Sequence, residues 1–231
     1  MGTVRNVVKW LVSSILILAL ILTIYLVALV KWSEYENLRS VSYRFLESTI
    51  RERISYEEVS ALCQNKENLE FSVEDLGNIS IPCSEIKEEN FLQPFVYAVF
   101  DKLYYKKYDC EFLECMEQTP LVILSAKTNA FLKSLQTYMI VSTCLLVVAY
   151  LAIAENMKER FKGLGSIFTF CGIQFFITEY MLSLMHLGEV KEILDTIFSQ
   201  VYIYFAITAV AGVVLLALSI LFKEKTLINK K

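Results

Sequence analysis

The sequence predicts an all-α membrane protein: a bundle of four transmembrane helices, with a mostly helical, disulfide-stabilised extracytoplasmic domain between the first and the second. Three observations lead there. Apolar residues make up 55% of the 231, and they fall into four long runs. Charge is segregated, so that the stretch between the first two runs carries most of it. Four of the six cysteines lie in that same charged stretch. A water-soluble domain of this size rarely has so high an apolar fraction, whereas membrane spans joined to a hydrated domain produce this segregation. Glycine and proline are scarce, at 7 and 3 residues. With no internal repeat, this excludes collagen-like, low-complexity and solenoid chains.

Roughly 20 apolar residues cross the hydrocarbon core of a bilayer, which is about 30 Å thick. The first run covers 10–31, with Trp10 at one end and Lys31-Trp32 at the other. Indole rings sit well at a membrane–water interface. A cleaved signal peptide has an apolar core of only about 7–15 residues and a small-residue cleavage site. This run is longer and ends Ala28-Leu29-Val30-Lys31, so it reads as an uncleaved anchor. The other spans are 137–154, 164–187 and 201–222, the second with a helix that begins near Ala126, before the span itself. Each is helical, because hydrocarbon offers the backbone no hydrogen-bond partner outside its own segment.

Basic residues near span ends set the orientation. Arg5 and Lys9 precede the first span, Lys158, Arg160 and Lys162 lie between the second and third, and Lys223, Lys225, Lys230 and Lys231 follow the fourth. Four crossings put all three groups on one side. Residues 1–9, 155–163 and 223–231 are therefore expected in the cytoplasm, and 32–136 and the short loop 188–200 outside. The plasma membrane is the expected location. From Lys31 to Gln136 there are 12 Lys and Arg against 18 Asp and Glu, so the outer segment is acidic and no partner for nucleic acid.

Cys63, Cys83, Cys110 and Cys115 fall in the outer segment and read as two disulfides. Four cysteines allow three pairings. A bridge from Cys63 or Cys83 to Cys110 or Cys115 is favoured here, because five residues of regular helix turn the side chains of Cys110 and Cys115 apart. Asn78-Ile79-Ser80 is a glycosylation sequon. Apolar residues from Trp32 to Ile50 recur at helical spacing, so the first span is expected to continue outward as one long helix. Ser55 and Glu58 form a capping box ahead of Val59 and Leu62. The polar, broken stretch from Asn65 to Pro82 leaves room for a short strand at Ile79–Ile81, and Pro94 opens a further helix.

Two groups of residues carry functional readings. In the third span, Glu179 and His186 lie seven residues apart on one helical face, with Gln174 and Thr178 nearby. They read either as a polar path or ligand site, or as bundle contacts in which Glu179 meets Tyr150, Tyr202 or Tyr204. In the outer segment, Phe95, Tyr97, Tyr104, Tyr105 and Tyr108 are interleaved with lysines. They read either as a partner face or membrane-surface helix, or as a core helix with a solvated edge. Small residues Gly165, Thr169 and Gly172 in the third span, and Thr208, Ala209 and Gly212 in the fourth, permit close helix approach, within the bundle or between copies.

One large first outer loop, a short second one and both termini inside is a plan similar to that of claudins, connexins and CALHM-type large-pore channels. The paired tryptophans of the claudin loop and the three-cysteine pattern of each connexin loop are absent, so the likeness is one of topology. Disulfide-generating enzymes of the DsbB and vitamin K epoxide reductase type use a C-x-x-C pair, whereas this chain has four residues between Cys110 and Cys115. No nucleotide, metal or hydrolase motif is present, and no cofactor is expected. The expected function is a non-enzymatic membrane interaction or accessory subunit whose outer domain assembles with itself or with a larger complex. The alternatives are an oligomeric channel or transporter with Glu179 and His186 on its path, and a membrane thiol–disulfide oxidoreductase.

Overall fold

The computed structural model describes residues 2–51, 54–64, 66–73, 76–183 and 190–222. The chain is mostly helical. It divides into two compact units, one made of Met1–Leu29 with Ser134–Lys231, the other of Val30–Lys133.

The first unit is built from α1 (Gly2–Trp32), α6 (Ala126–Ile153), α7 (Met157–Ser183) and α8 (Val190–Leu221), less the last turn of α1 and the start of α6. Four stretches, Val4–Trp32, Ala126–Ile153, Met157–Met181 and Val201–Leu221, are long and apolar enough to cross a membrane. At about 1.5 Å per residue they measure about 32 to 44 Å. α6 begins at Ala126 as the sequence predicts, whereas α7 begins seven residues ahead of the span expected at 164. Asn156 explains that early start: its Oδ1 accepts from Glu159 N at 2.8 Å and caps α7.

Two apolar clusters fill this unit. Leu16 of α1, Tyr150 of α6 and Leu164, Ile167 and Cys171 of α7 form one. Ile24 and Ala28 of α1, Phe175 of α7 and Val201 and Phe205 of α8 form the other. The Phe175 and Phe205 rings stack at 4.6 Å. Between α1 and α6, the Thr23 and Thr143 hydroxyls share a hydrogen bond of 3.0 Å. Arg5 pairs with Glu155, and Lys9 with Glu159, at the turn between α6 and α7.

α7 and α8 approach more closely than side chains allow. A Cβ on Gly172 would lie 2.5 Å from the Ala209 Cβ and 2.6 Å from its Cα. One on Gly165 would lie 2.8 Å from Leu216 N, and one on Gly212 would lie 2.5 Å from Thr169 Oγ1. Of the two roles open to these small residues, they fill the first, packing helices of one chain. Outward, by contrast, the helices present large apolar side chains, among them Leu18, Leu145, Phe170, Ile177 and Val210.

The second unit holds α2 (Tyr35–Arg51), α3 (Tyr56–Cys63), β1 (Asn68–Val73), β2 (Gly77–Pro82), α4 (Gln93–Tyr104) and α5 (Phe112–Gln118). The long helix expected beyond the first span is interrupted at Ser33–Glu34. Ser33 is fully buried there, its hydroxyl donating to Val30 O at 2.9 Å, and α2 starts afresh. The capping box is formed: Glu58 N donates to Ser55 Oγ at 3.3 Å, and Ser55 N to Glu58 Oε2 at 3.0 Å. The short strand lies within β2, which pairs antiparallel with β1, Leu69 opposite Ile81 and Phe71 opposite Ile79. Gly77, at φ 75, turns the hairpin where a side chain would strain the backbone. Val59, Ile79, Ile81, Ile86, Phe91 and Leu92 make one core, and Leu38, Phe100 and Tyr104 a second.

The disulfide pairing differs from the one favoured on sequence grounds. Cys63 pairs with Cys83, and Cys110 with Cys115, at Cα separations of 5.7 and 5.5 Å. The helix argument fails because Cys110 is not helical: α5 starts at Phe112, so this bridge joins the incoming loop to the first turns of α5. The other ties the end of α3 to the end of β2.

The α7–α8 contact makes a testable claim. Gly172→Ala should lower stability by about 1–3 kcal/mol, the usual cost of overpacking. Ile173→Ala, at the neighbouring position that faces outward, should change stability by only about 0.5 kcal/mol, as substitutions away from packed contacts do. Thermal midpoints in one detergent measure both, and equal shifts would remove the contact from the account.

Candidate functional site

The second unit places a polar and aromatic cluster between α2 and α4. Tyr35 and Arg39 lie one turn apart on α2, Tyr97 and Asp101 one turn apart on α4, so each pair shares a helix face. The Tyr35 hydroxyl donates to Asp101 Oδ1 at 2.6 Å. Arg39 Nε lies 3.7 Å from the same oxygen, and its guanidinium carbon sits 3.7 Å from the Tyr97 ring centroid. That places the cation over the negative face of the ring. Arg39 Nε and Asn90 Oδ1 are buried atoms with no hydrogen-bond partner. Both line a groove between β2 and α4, together with Pro82, Pro94, Tyr97 and Asp101.

Burial pushes the Tyr35 phenol up to about 12, helped by the hydrogen bond to Asp101 and the charge of that carboxylate. Burial likewise raises Tyr104 and Tyr108 above the usual phenol value.

The tyrosine-rich stretch is mostly turned inward. Phe95 packs on Phe71, and Tyr97 on Tyr43 and Arg39. Tyr104 is buried with its hydroxyl 3.4 Å from Ser33 O, and the Tyr108 hydroxyl is buried. Tyr105 alone of the five is well exposed, at 63%. Asn78 and Ser80 of the sequon are both exposed on β2.

In α7, the Thr178 hydroxyl donates back to Gln174 O at 3.0 Å, and Gln174 Oε1 is buried without a partner. Glu179 is exposed, so it does not join them. It falls four residues after Phe175 and seven after Gly172, on the α7 face that packs against α8 lower down. His186 lies outside the described residues. Cys171 is buried and Cys144 exposed, both as free thiols. Among the described residues no three His, Cys, Asp or Glu side chains are grouped to hold a metal.

Sequence reading missed the Arg39–Asp101 cluster. Its signal was present as two pairs at helical spacing, Tyr35 with Arg39 and Tyr97 with Asp101, on separate helices. Comparison of the chain with protein-family models, with curated proteins and with solved structures finds no match.

A phenol held high in the folded protein leaves stability complete below about pH 10, where both states are neutral. Stability falls as pH rises through 10 to about 12, where the unfolded chain ionises first. Tyrosinate absorbance of the parent minus that of Tyr35→Phe should show one phenol ionising near pH 12. Ionisation near 10 would separate Tyr35 from Asp101.

Proposed function

We propose that the chain is a non-enzymatic, four-span subunit of the plasma membrane, whose second unit stands outside the cell and assembles with its own copies or with a larger membrane complex. The observation that carries this reading is an apolar surface on the second unit. Leu113 and Met116 of α5 and Leu121 and Ile123 of the following turn are 62%, 38%, 53% and 40% exposed. The Cys110–Cys115 bridge and the Phe112–Phe131 stack, at 4.3 Å, fix the segment that presents them. Apolar side chains held out in this way on a hydrated unit mark a contact surface.

A four-helix bundle with both termini cytoplasmic is part of the proposal. Its support is the outward apolar surface of the first unit and the three basic ends. The Arg5–Glu155 and Lys9–Glu159 pairs fit it, because they join the start of α1 to the α6–α7 turn, which such threading puts on one side.

The channel reading keeps one specific observation. Glu179 is an exposed carboxylate on a helix long and apolar enough to span a membrane. Carboxylates facing lipid are costly, so within a bilayer it needs water or a partner.

Two measurements test these statements. Native mass spectrometry after gentle detergent extraction should give a fixed ratio to unlike subunits or a defined homo-oligomer. A closed ring of identical copies would move the weight to the channel, and single chains alone would end the assembly reading. In a glycosylating host, Asn78→Gln should abolish an endoglycosidase-sensitive mass difference. A parent chain that is never glycosylated, even with further sequons placed in exposed turns of residues 32–136, would overturn the orientation.

A further inference from the structure

The hairpin of the second unit has an unused edge. β2 pairs with β1 on one side, and among the described residues no strand pairs with its other side. Cys83 N donates to Glu67 O at 2.9 Å, just beyond the paired ends of the strands. Antiparallel pairs alternate between bonded and non-bonded. With Cys83 opposite Glu67 bonded, Ile81 and Ile79 bond to β1, while Asn78, Ser80 and Pro82 turn their backbone groups away from it. Pro82 is tolerated for that reason, since its missing N–H costs the ladder nothing.

Along this side runs the groove between β2 and α4. It comprises two adjoining cavities of about 460 and 540 Å³ that share Ser80, Ala98 and Asp101. Its charged lining is Arg39, Lys87, Lys102 and Lys106 against Glu85 and Asp101. Arg39 and Asp101 are paired with each other, which leaves Lys87, Lys102 and Lys106 against Glu85, so the cations dominate. Two of the buried polar atoms without a hydrogen-bond partner, Arg39 Nε and Asn90 Oδ1, belong to residues of the same lining.

We infer that this groove receives an extended, acidic segment of a partner protein, which adds to β2 as a third strand. The inference rests on the assembly reading above and names the chemistry of its partner. An added strand draws affinity from main-chain hydrogen bonds and specificity from the groove beside it. At about 3.3 Å per residue, the six residues of β2 offer about 20 Å of edge. The segment from Lys31 to Gln136 is acidic overall. Preference for an acidic peptide would therefore come from the lysines of the groove, against the net field of the unit.

The test uses the full chain in zwitterionic nanodiscs and a fluorescent alternating glutamate–valine hexapeptide, read by anisotropy. Saturable binding is expected, with weaker binding of the lysine–valine counterpart. Ser80→Pro removes an outward N–H without touching the β1 ladder, and should weaken binding about tenfold. Lys102→Glu combined with Lys106→Glu should do the same. Because Ser80→Pro also destroys the sequon, Asn78→Gln serves as its control and should bind like the parent. N-methylation of alternate peptide amides should abolish binding to the unaltered protein, a result that depends on no variant folding. No saturable binding, equal binding by Ser80→Pro, or indifference to N-methylation would each overturn the inference. In native mass spectra, a partner retained by Ser80→Pro overturns the groove and leaves the assembly reading standing. A parent that is only ever a single chain overturns the assembly reading, and the role of the groove with it.

Discussion

The second unit depends on one buried polar contact where the chain enters and leaves it. The Asn129 side-chain amide donates to Ser33 Oγ at 2.9 Å and to Val30 O at 3.2 Å. Val30 is in the last turn of α1, where carbonyls lose their helical partners, and Asn129 is in the first turn of α6. Both polar side chains are almost wholly buried, with Ser33 at 0% and Asn129 at 8% exposure. Unpaired, either would cost about 1–3 kcal/mol. Paired, they close a loop of 96 residues, whose entropy falls on this joint and on the apolar cores. Thr128 and Ser125 extend the joint, each donating to Val122 O at 2.6 Å. The turn before α6 is thereby fixed, and with it the apolar side chains it carries.

The first unit is held by a different kind of contact. α7 and α8 meet backbone to backbone at Gly165, Gly172 and Gly212, so dispersion between main chains replaces interlocking of large side chains. Leu16, Tyr150, Phe175 and Phe205 are buried between the helices, and many other bulky residues are turned outward. This inverts the usual division of a water-soluble protein, and it is the expected one when the surrounding medium is as apolar as leucine.

The helices of the first unit were legible because length and hydropathy alone define them. Their small-residue seam was legible because spacing places Gly165, Thr169 and Gly172 on one face. The second unit was only partly so. Ser55 and Glu58 signal a cap within four residues, and Pro94 a helix start, and both are found. β1 was missed although Leu69, Phe71 and Val73 alternate with Asn68, Glu70 and Ser72 as a half-buried strand requires, because the polar stretch from Asn65 to Pro82 reads as a broken loop around a single strand. The break at Ser33 was missed because its cause, Asn129, is 96 residues away. The disulfides were misjudged on the premise of a regular helix through Cys110. In the candidate site, Arg39 and Asp101 went unremarked because nothing local reveals that α2 and α4 lie side by side. Glu179 was visible as a lone carboxylate, but its exposure is set by the packing of α7.

The separation in sequence of these contacts also sets an order of events as the chain is made. Both disulfides close over short distances, 20 and 5 residues. The hairpin likewise needs only the residues from Asn68 to Pro82, and α7 with α8 forms from neighbouring segments. Such local elements have little loop entropy to overcome and form early. The Asn129–Ser33 joint and the Thr23–Thr143 bond span 96 and 120 residues, and neither can exist until α6 has been synthesised. α1 therefore waits for its partners on α6 through the synthesis of everything between, with only local donors such as Ser33 and Asn37 on its last carbonyls. All four bridging cysteines lie ahead of α6 in the chain, so neither bridge needs α6 in order to form.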